Sequence, residues 1–189
     1  MLDSLIDYNA TDLLALLKKR DISGVELLER CIQQYYDVNP SLNAVVETNF
    51  EEARKLFKKF DDEFSTDGHP EPFLPLPVGV KDLNDVKGLK TTFGSPLFKN
   101  NVAKSDDDVV AQIRKASAVI FGKTNVPEHG FGATTTNPLQ GSTGNPFDKS
   151  LSAGASTGGG AAAVASGICL LYTSPSPRDL STSRMPSSA

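Results

Sequence analysis

A glycine-rich run at residues 154–160, G-A-S-T-G-G-G, places two hydroxyl side chains just before a helix-forming stretch, A-A-A-V-A. Backbone amides in a tight turn at the start of a helix stabilise negative charge. The run therefore indicates a phosphate loop or an acyl-transfer site, in which Ser156 or Thr157 lies where a reacting carbonyl meets those amides. An alanine stands where the phosphate-loop pattern needs a lysine, and the dinucleotide pattern is absent. The acyl-transfer site therefore stays open. Its alternative is a purely structural role, in which the glycine-rich start of a helix packs against a sheet.

Two residues are candidates for the base that such a hydroxyl needs. Lys81 follows an apolar stretch, L-P-L-P-V-G-V, which predicts a buried strand with the lysine amine at its end. Burial of that kind lowers the pKa of an amine, so that the amine can act as a base. His129 follows an acid in P-E-H-G-F-G and is the other candidate, but the nucleophile elbow G-x-S-x-G that would complete a serine, histidine and acid site is absent.

The segments that position these residues alternate between helix and strand. The spacing of apolar and β-branched residues predicts helices at 11–19, 25–36 and 50–64, strands at 44–48 and 74–82, and helix, turn and strand within 109–125. Such alternation predicts an α/β fold with a mixed β-sheet flanked by helices. Residues 134–157 are rich in glycine, proline, asparagine and hydroxyl residues, which predicts a long functional loop.

Composition and charge limit the kinds of partner. The chain has 189 residues, 39% of them hydrophobic, and a formal net charge of −4 with scattered basic residues, which argues against nucleic-acid and membrane partners. It has no apolar run of membrane-spanning length and no N-terminal signal pattern, so we expect a cytoplasmic protein.

Two cysteines without histidine spacing indicate no metal site, and we expect no cofactor. Cys31 is predicted to be a buried free thiol.

Four motifs occur in order along the chain: V-G-V-K-D, G-K-T-N-V-P-E-H-G-F-G, G-N-P-F-D and G-A-S-T-G-G-G-A-A-A-V-A-S-G. In this order and spacing they closely resemble the amidase signature family, and the resemblance covers most of residues 5–168. It implies hydrolysis or transfer of amides through a triad of serine, cis-serine and lysine, on an α/β fold whose mixed sheet is covered by helices. Residues 1–168 would be the N-terminal portion of that domain, truncated before the sheet is complete.

The resemblance makes Lys81 the triad base and Ser156 the cis-serine, joined to Ala155 by a cis peptide bond. In such a relay, neutral Lys81 takes a proton from Ser156, which takes one from a second serine that attacks the amide carbonyl. The family places this nucleophile in a T-D-x-G-G-S turn. The corresponding position here is Leu180, and no such turn surrounds it.

Three residues are predicted to bind substrate. The resemblance implies that Gly130 and Phe131 line the acyl pocket. Thr157 is placed at the substrate by its position in the glycine-rich turn.

Residues 169–189 differ in character from the sequence before them. They are rich in serine, threonine and proline and lack periodicity, which predicts disorder. A common transposon-type sequencing adapter translates to C-L-L-Y-T-S-P-S-P-R-D, the sequence of residues 169–179, and its distal end translates to S-R-M-P-S-S-A, the sequence of residues 183–189. We therefore expect a non-native tail that is not part of the native fold. A natural linker is the alternative.

These observations together predict a cytoplasmic amidase that acts on a small carboxamide through an acyl-enzyme, with homodimers among its full-length relatives. The chain itself is predicted to be inactive, because it lacks the nucleophile. Three alternatives stay open: the A subunit of an enzyme that makes amidated transfer RNA, a binding module that keeps the fold without chemistry, and an unrelated serine hydrolase that uses His129.

Overall fold

The computed structural model describes residues 8–64 and 75–173. In chain order its elements are α1 (Ala10–Lys19), α2 (Gly24–Leu42), β1 (Val45–Thr48), α3 (Phe50–Phe64), β2 (Pro77–Lys81), α4 (Asp108–Lys115), β3 (Val119–Thr124), β4 (Thr136–Asn137), β5 (Gly141–Ser142), α5 (Gly158–Ala165) and β6 (Leu171–Tyr172). The main sheet has the order β1, β3, β2, β6. Strand β2 runs parallel to β3 and β6, and β1 runs antiparallel to β3. The predicted mixed sheet flanked by helices is confirmed.

Alternate residues of the central strands face two separate cores. Val119 and Phe121 of β3 belong to the larger core, which also buries apolar residues of α1, α2, α3 and α5. Ile120, between them, packs with Val80 of β2 in a smaller cluster that includes α4. This is the two-residue period of a strand buried on both faces. Because Lys81 follows Val80, its side chain lies on the α5 face of the sheet.

Helix α2 is longer than the sequence pattern predicted. The predicted helix ends at residue 36, but the observed one continues to Leu42, with Pro40 inside its last turn and Asn43 as the C-cap in the left-handed region. The buried Asn39 side chain accepts from the N–H groups of Ala44 and Val45 and donates to the Val45 carbonyl. These three hydrogen bonds join the helix end to β1 and outweigh the bias of a residue before proline against helix.

Residues 169–173, the first part of the segment predicted to be a non-native tail, belong to the sheet edge in this structure. Cys169 is buried, and Leu171 and Tyr172 pair with β2. The Lys81 N–H donates to Thr173 Oγ1 at 3.2 Å. Residues 174–189, which include Leu180, lie outside the described residues, and the boundary after residue 168 stays a prediction.

Gly159, in the first turn of α5, lies where the helix touches β3. A Cβ at this position would overlap the backbone N and O of Asn125 and come within 2.9 Å of the Ala44 carbonyl oxygen. Backbone atoms yield poorly, so we expect Gly159→Ala to lower the free energy of unfolding by about 1–3 kcal/mol, although alanine is the better helix former. Urea denaturation measures the difference.

The matched control is Gly144→Ala. A Cβ on Gly144 would have its nearest neighbour at 3.8 Å, and the backbone there is not left-handed. We expect this variant to stay within about 0.5 kcal/mol of the original chain. Equal losses in the two variants would show that close approach of α5 to β3 is not what excludes a side chain at Gly159.

The two thiols predict a dependence of stability on alkaline pH. Cys31 and Cys169 are both buried and free, as predicted for Cys31. Burial raises the pKa of the Cys31 thiol well above its ordinary value and that of Cys169 to about 12. Because the pKa of each thiol is higher in the folded than in the unfolded chain, the contribution of the two thiols to stability is complete below about pH 8.5. This contribution is lost as the pH rises further.

We therefore expect the free energy of unfolding to fall more steeply between about pH 8.5 and 10 in the original chain than in the Cys31→Ala, Cys169→Ala double variant. Urea denaturation at several pH values, with a reducing agent present, gives the two slopes. The prediction fails when the slopes are the same.

Candidate active site

Lys81, Ser156 and Thr157 meet at the carboxyl end of β2. Lys81 is the last residue of this fully buried strand, and the exposed fraction of the residue is 1%. Its Nζ is 2.9 Å from Ser156 Oγ and 2.9 Å from Thr157 Oγ1. The Ala155–Ser156 peptide bond is cis, at the bond that the resemblance indicated. A buried amine thus contacts two hydroxyl groups of the glycine-rich turn.

Thr157 is the residue before α5, where a hydroxyl usually accepts a hydrogen bond from the first turn of the helix. Its side chain makes no such capping bond. Instead its hydroxyl lies against the Lys81 amine. The structure therefore places Thr157 beside the candidate base, and its contact with substrate stays a prediction.

The loop that carries Ser156 is held by buried polar side chains. The Thr135 hydroxyl donates to the Gly154 carbonyl at 2.6 Å, and Gly158 leaves the space that Thr135 fills. The Ala153 N–H donates to the Thr143 carbonyl at 3.1 Å. The predicted loop at 134–157 is thus an ordered segment that includes the β4–β5 hairpin, and its hydrogen bonds present the cis peptide to Lys81.

A second buried lysine, Lys123, lies on the other face of the sheet and was missed in the sequence analysis. Its Nζ donates to Asp82 Oδ1 at 2.9 Å and to Thr91 Oγ1 at 2.9 Å. Asp82 also accepts from the N–H and hydroxyl of Thr92. Burial lowers the pKa of the Lys123 ammonium, and the Asp82 carboxylate partly offsets this effect. The pair joins the end of β2 to β3, one residue from Lys81.

The sequence did contain an indication of this pair. V-G-V-K-D and I-F-G-K-T each place a charged residue at an apolar strand, and two neighbouring buried strands with opposite charges favour an ion pair. What the sequence lacks is the register that brings Lys123 opposite Val80, on the face from which Asp82 projects.

The turn that holds His129, Gly130 and Phe131 packs on the loop after β2. The His129 N–H donates to the Phe93 carbonyl at 2.7 Å, and its ring stacks on the Phe93 ring with 6.3 Å between centroids. Gly130, in the left-handed region, lies against Leu83. Phe131 is 85% exposed. Among the described residues the imidazole of His129 forms no side-chain hydrogen bond with Ser156.

The sequence and the fold that carry this site are both similar to those of known proteins. The family model described as Amidase matches residues 26–173. The chain belongs to this amidase family, and the resemblance to the amidase signature family is confirmed.

Individual relatives are similar over most of this chain. Indoleacetamide hydrolase of Bradyrhizobium diazoefficiens is 37% identical over 161 residues, which are 85% of this chain and 31% of that protein. The A subunit of the glutamyl-tRNA(Gln) amidotransferase of Prochlorococcus marinus is 35% identical over 154 residues, 82% of this chain and 32% of that protein. The chain therefore spans about a third of the length of these relatives.

The fold of this chain is also similar to that of a solved structure over most of its length. The crystal structure of a bacterial aryl acylamidase of the amidase signature family superimposes with a TM-score of 0.80 at 32% identity, over 86% of this chain and 34% of that one.

Metal-binding clusters and membrane-spanning helices are both absent from the described part of the chain. Within residues 8–64 and 75–173, no three histidine, cysteine, aspartate or glutamate side chains are grouped so that they could hold a metal ion. Over the same part of the chain, no helix combines the length and apolar character needed to cross a lipid bilayer.

Proposed function

We propose that the sequence encodes the base and relay portion of an amidohydrolase that cleaves a small carboxamide through an acyl-enzyme. The observation that carries this proposal is the 2.9 Å separation between Lys81 Nζ and Ser156 Oγ, with Lys81 almost fully removed from water. Removal from water favours the neutral amine over the ammonium, and only the neutral amine can accept a proton.

In the proposed relay, Lys81 accepts the proton of Ser156 while Ser156 accepts the proton of the attacking serine. The Thr157 hydroxyl, at 2.9 Å from the same Nζ, holds the amine in place. The direction of transfer reverses when the leaving amine requires a proton. Lys81 therefore acts first as a base and then as an acid.

We further propose that this chain does not hydrolyse amides. Leu180 occupies the position of the attacking serine, and its side chain has no nucleophilic atom. The adapter-derived origin proposed for residues 169–189 accounts for this leucine. The nucleotide sequence behind these residues tests that origin: codons unlike the adapter would refute it.

The substrate proposed is a carboxamide with an apolar acyl group. Phe131 is an exposed aromatic side chain on the turn that the resemblance assigns to the acyl pocket. The similarity to indoleacetamide hydrolase, whose name denotes an aromatic acyl group, supports the same choice.

We propose that the full-length enzyme is a cytoplasmic homodimer.

A second candidate function is glutamine-dependent transamidation. It is supported by the 35% identity to the A subunit of a glutamyl-tRNA(Gln) amidotransferase over a similar share of the chain. Such a protein would release ammonia from glutamine in the presence of its partner subunits. A hydrolase would release it from simple amides by itself.

The test uses the full-length parent gene, recovered from the source DNA with the native sequence in place of residues 169–189. Ammonia release is measured with aryl and alkyl carboxamides and with glutamine, for the parent enzyme and for Ser156→Ala and Ser41→Ala. We expect turnover of carboxamides that Ser156→Ala abolishes and Ser41→Ala retains, because Ser41 is an exposed serine at the end of α2. The assay with glutamine is repeated with the partner subunits of a glutamyl-tRNA(Gln) amidotransferase present. Release from glutamine but not from carboxamides, with or without those subunits, would favour transamidation, and no release from either class under both conditions would indicate a binding module.

A further inference from the structure

Ser156 and Lys81 form a nucleophile and base pair that does not depend on a second serine. Ser156 Oγ lies within hydrogen-bond distance of Lys81 Nζ. Ser156 is partly exposed and its neighbour Ala155 is exposed, whereas Lys81 is buried. A hydroxyl on a partly exposed residue, beside a base that a third group holds in place, is the arrangement of an activated nucleophile. Thr157 is that third group.

The chain contains a second lysine and serine at similar distance but without burial. Lys149 Nζ is 2.8 Å from Ser41 Oγ, and both residues are exposed. Burial is what favours the neutral amine that can take a proton. The two pairs therefore have the same chemical groups and nearly the same separation, and they differ chiefly in the exposure of the lysine.

We propose that Ser156 of this chain is an acyl-acceptor site for small activated carboxylic esters, with Lys81 as its base. Ser156 Oγ forms a bond to the acyl carbon, the ester C–O bond breaks, and the phenolate leaves with the bonding electron pair. The serine proton passes to Lys81 Nζ. A phenolate leaves without a proton donor, unlike the amine of an amide, so this step needs neither Leu180 nor the turn that the family places there.

This inference rests on the Lys81–Ser156 contact that also supports the proposed function, but it does not use the relay to an attacking serine. The acyl-acceptor site and the proposed relay can therefore fail separately. An active parent enzyme together with no acylation of the present chain would refute the acceptor site alone. Acylation of Ser156 together with an inactive parent would refute the relay alone.

The experiment uses the 189-residue chain and p-nitrophenyl acetate. Phenolate release gives the rate, intact mass gives the number of acetyl groups, and peptide mapping at the earliest time points gives their position. We expect one acetyl group per chain on Ser156, none at that position in Ser156→Ala, and a rate about 10²- to 10⁴-fold lower in Lys81→Met. The exposed-pair variants Ser41→Ala and Lys149→Met are expected to retain the original rate.

Circular dichroism checks each variant, and Lys81→Arg is the second variant if Lys81→Met does not fold. The arginine side chain stays protonated and cannot act as the base, so we expect the same loss of rate. The proposal is overturned by first acetylation on Lys81 Nζ instead of Ser156, by comparable labelling of Ser41, by a full rate in both Lys81 variants, or by no acylation of the original chain.

Discussion

Replacement of Lys81 by methionine in the full-length parent enzyme is expected to lower kcat/KM for a carboxamide by about 10²- to 10⁴-fold, the contribution of a positioned general base. Methionine keeps the length and the apolar stem of the side chain but removes the amine that lies 2.9 Å from both Ser156 and Thr157. Ammonia release at several substrate concentrations separates kcat from KM. We expect the loss to appear in kcat rather than in KM, because the amine is proposed to move a proton and not to bind the substrate.

Two control variants make this result specific. Lys87→Met removes an exposed lysine from the loop after β2 and is expected to leave the rate unchanged. His129→Gln tests the alternative base, and we expect a change of only a few-fold, since its ring packs on Phe93 and Phe98. Full activity in Lys81→Met together with a large loss in His129→Gln would replace the lysine relay by a histidine mechanism.

The largest effect on stability is expected at the buried ion pair of Lys123 and Asp82. Lys123 is fully buried and also donates to the Lys90 carbonyl at 3.0 Å. Lys123→Met leaves the Asp82 carboxylate buried without its cation, and we expect the free energy of unfolding to fall by about 3–5 kcal/mol. Urea denaturation of the chain measures this loss.

The double variant Lys123→Met, Asp82→Asn is the informative comparison. It removes both charges, and the asparagine still offers an oxygen to the Thr92 N–H and hydroxyl. We expect it to recover part of the stability lost in Lys123→Met, because breaking a buried pair costs more than replacing it. A double variant that is no more stable than Lys123→Met would show that the cost comes from lost packing and hydrogen bonds of the lysine rather than from the uncompensated charge.

Local sequence patterns predicted the elements that carry the site. The apolar stretch before Lys81 predicted a buried strand, and β2 ends at Lys81. The stretch A-A-A-V-A predicted a helix after the glycine-rich run, and α5 contains this stretch but begins three residues earlier, at Gly158. These predictions succeed because strand burial and helix propensity depend on residues that are adjacent in the sequence.

Features that depend on hydrogen bonds made outside a helix or strand's own residues were predicted poorly. Helix α2 continues past Pro40, where the Asn39 side chain accepts hydrogen bonds from Ala44 and Val45, five and six positions further along the chain. Residues 169–173 have the composition of a disordered segment, yet β6 pairs with β2. In both cases hydrogen bonds outweigh the preference of the segment's composition: a side-chain bond to the following residues in α2, and strand pairing with a distant segment in β6.

The sequence by itself determined the family, the strand that ends on Lys81 and the glycine-rich turn with Ser156. Only the tertiary structure decided that Lys81 and Ser156, 75 positions apart, lie at 2.9 Å, that Thr157 contacts the amine, and that Asp82 pairs with Lys123 on the opposite face of the sheet. The physical reason is that the side-chain period of a strand follows from its own residues, whereas its register and its partners follow from the packing of the whole chain.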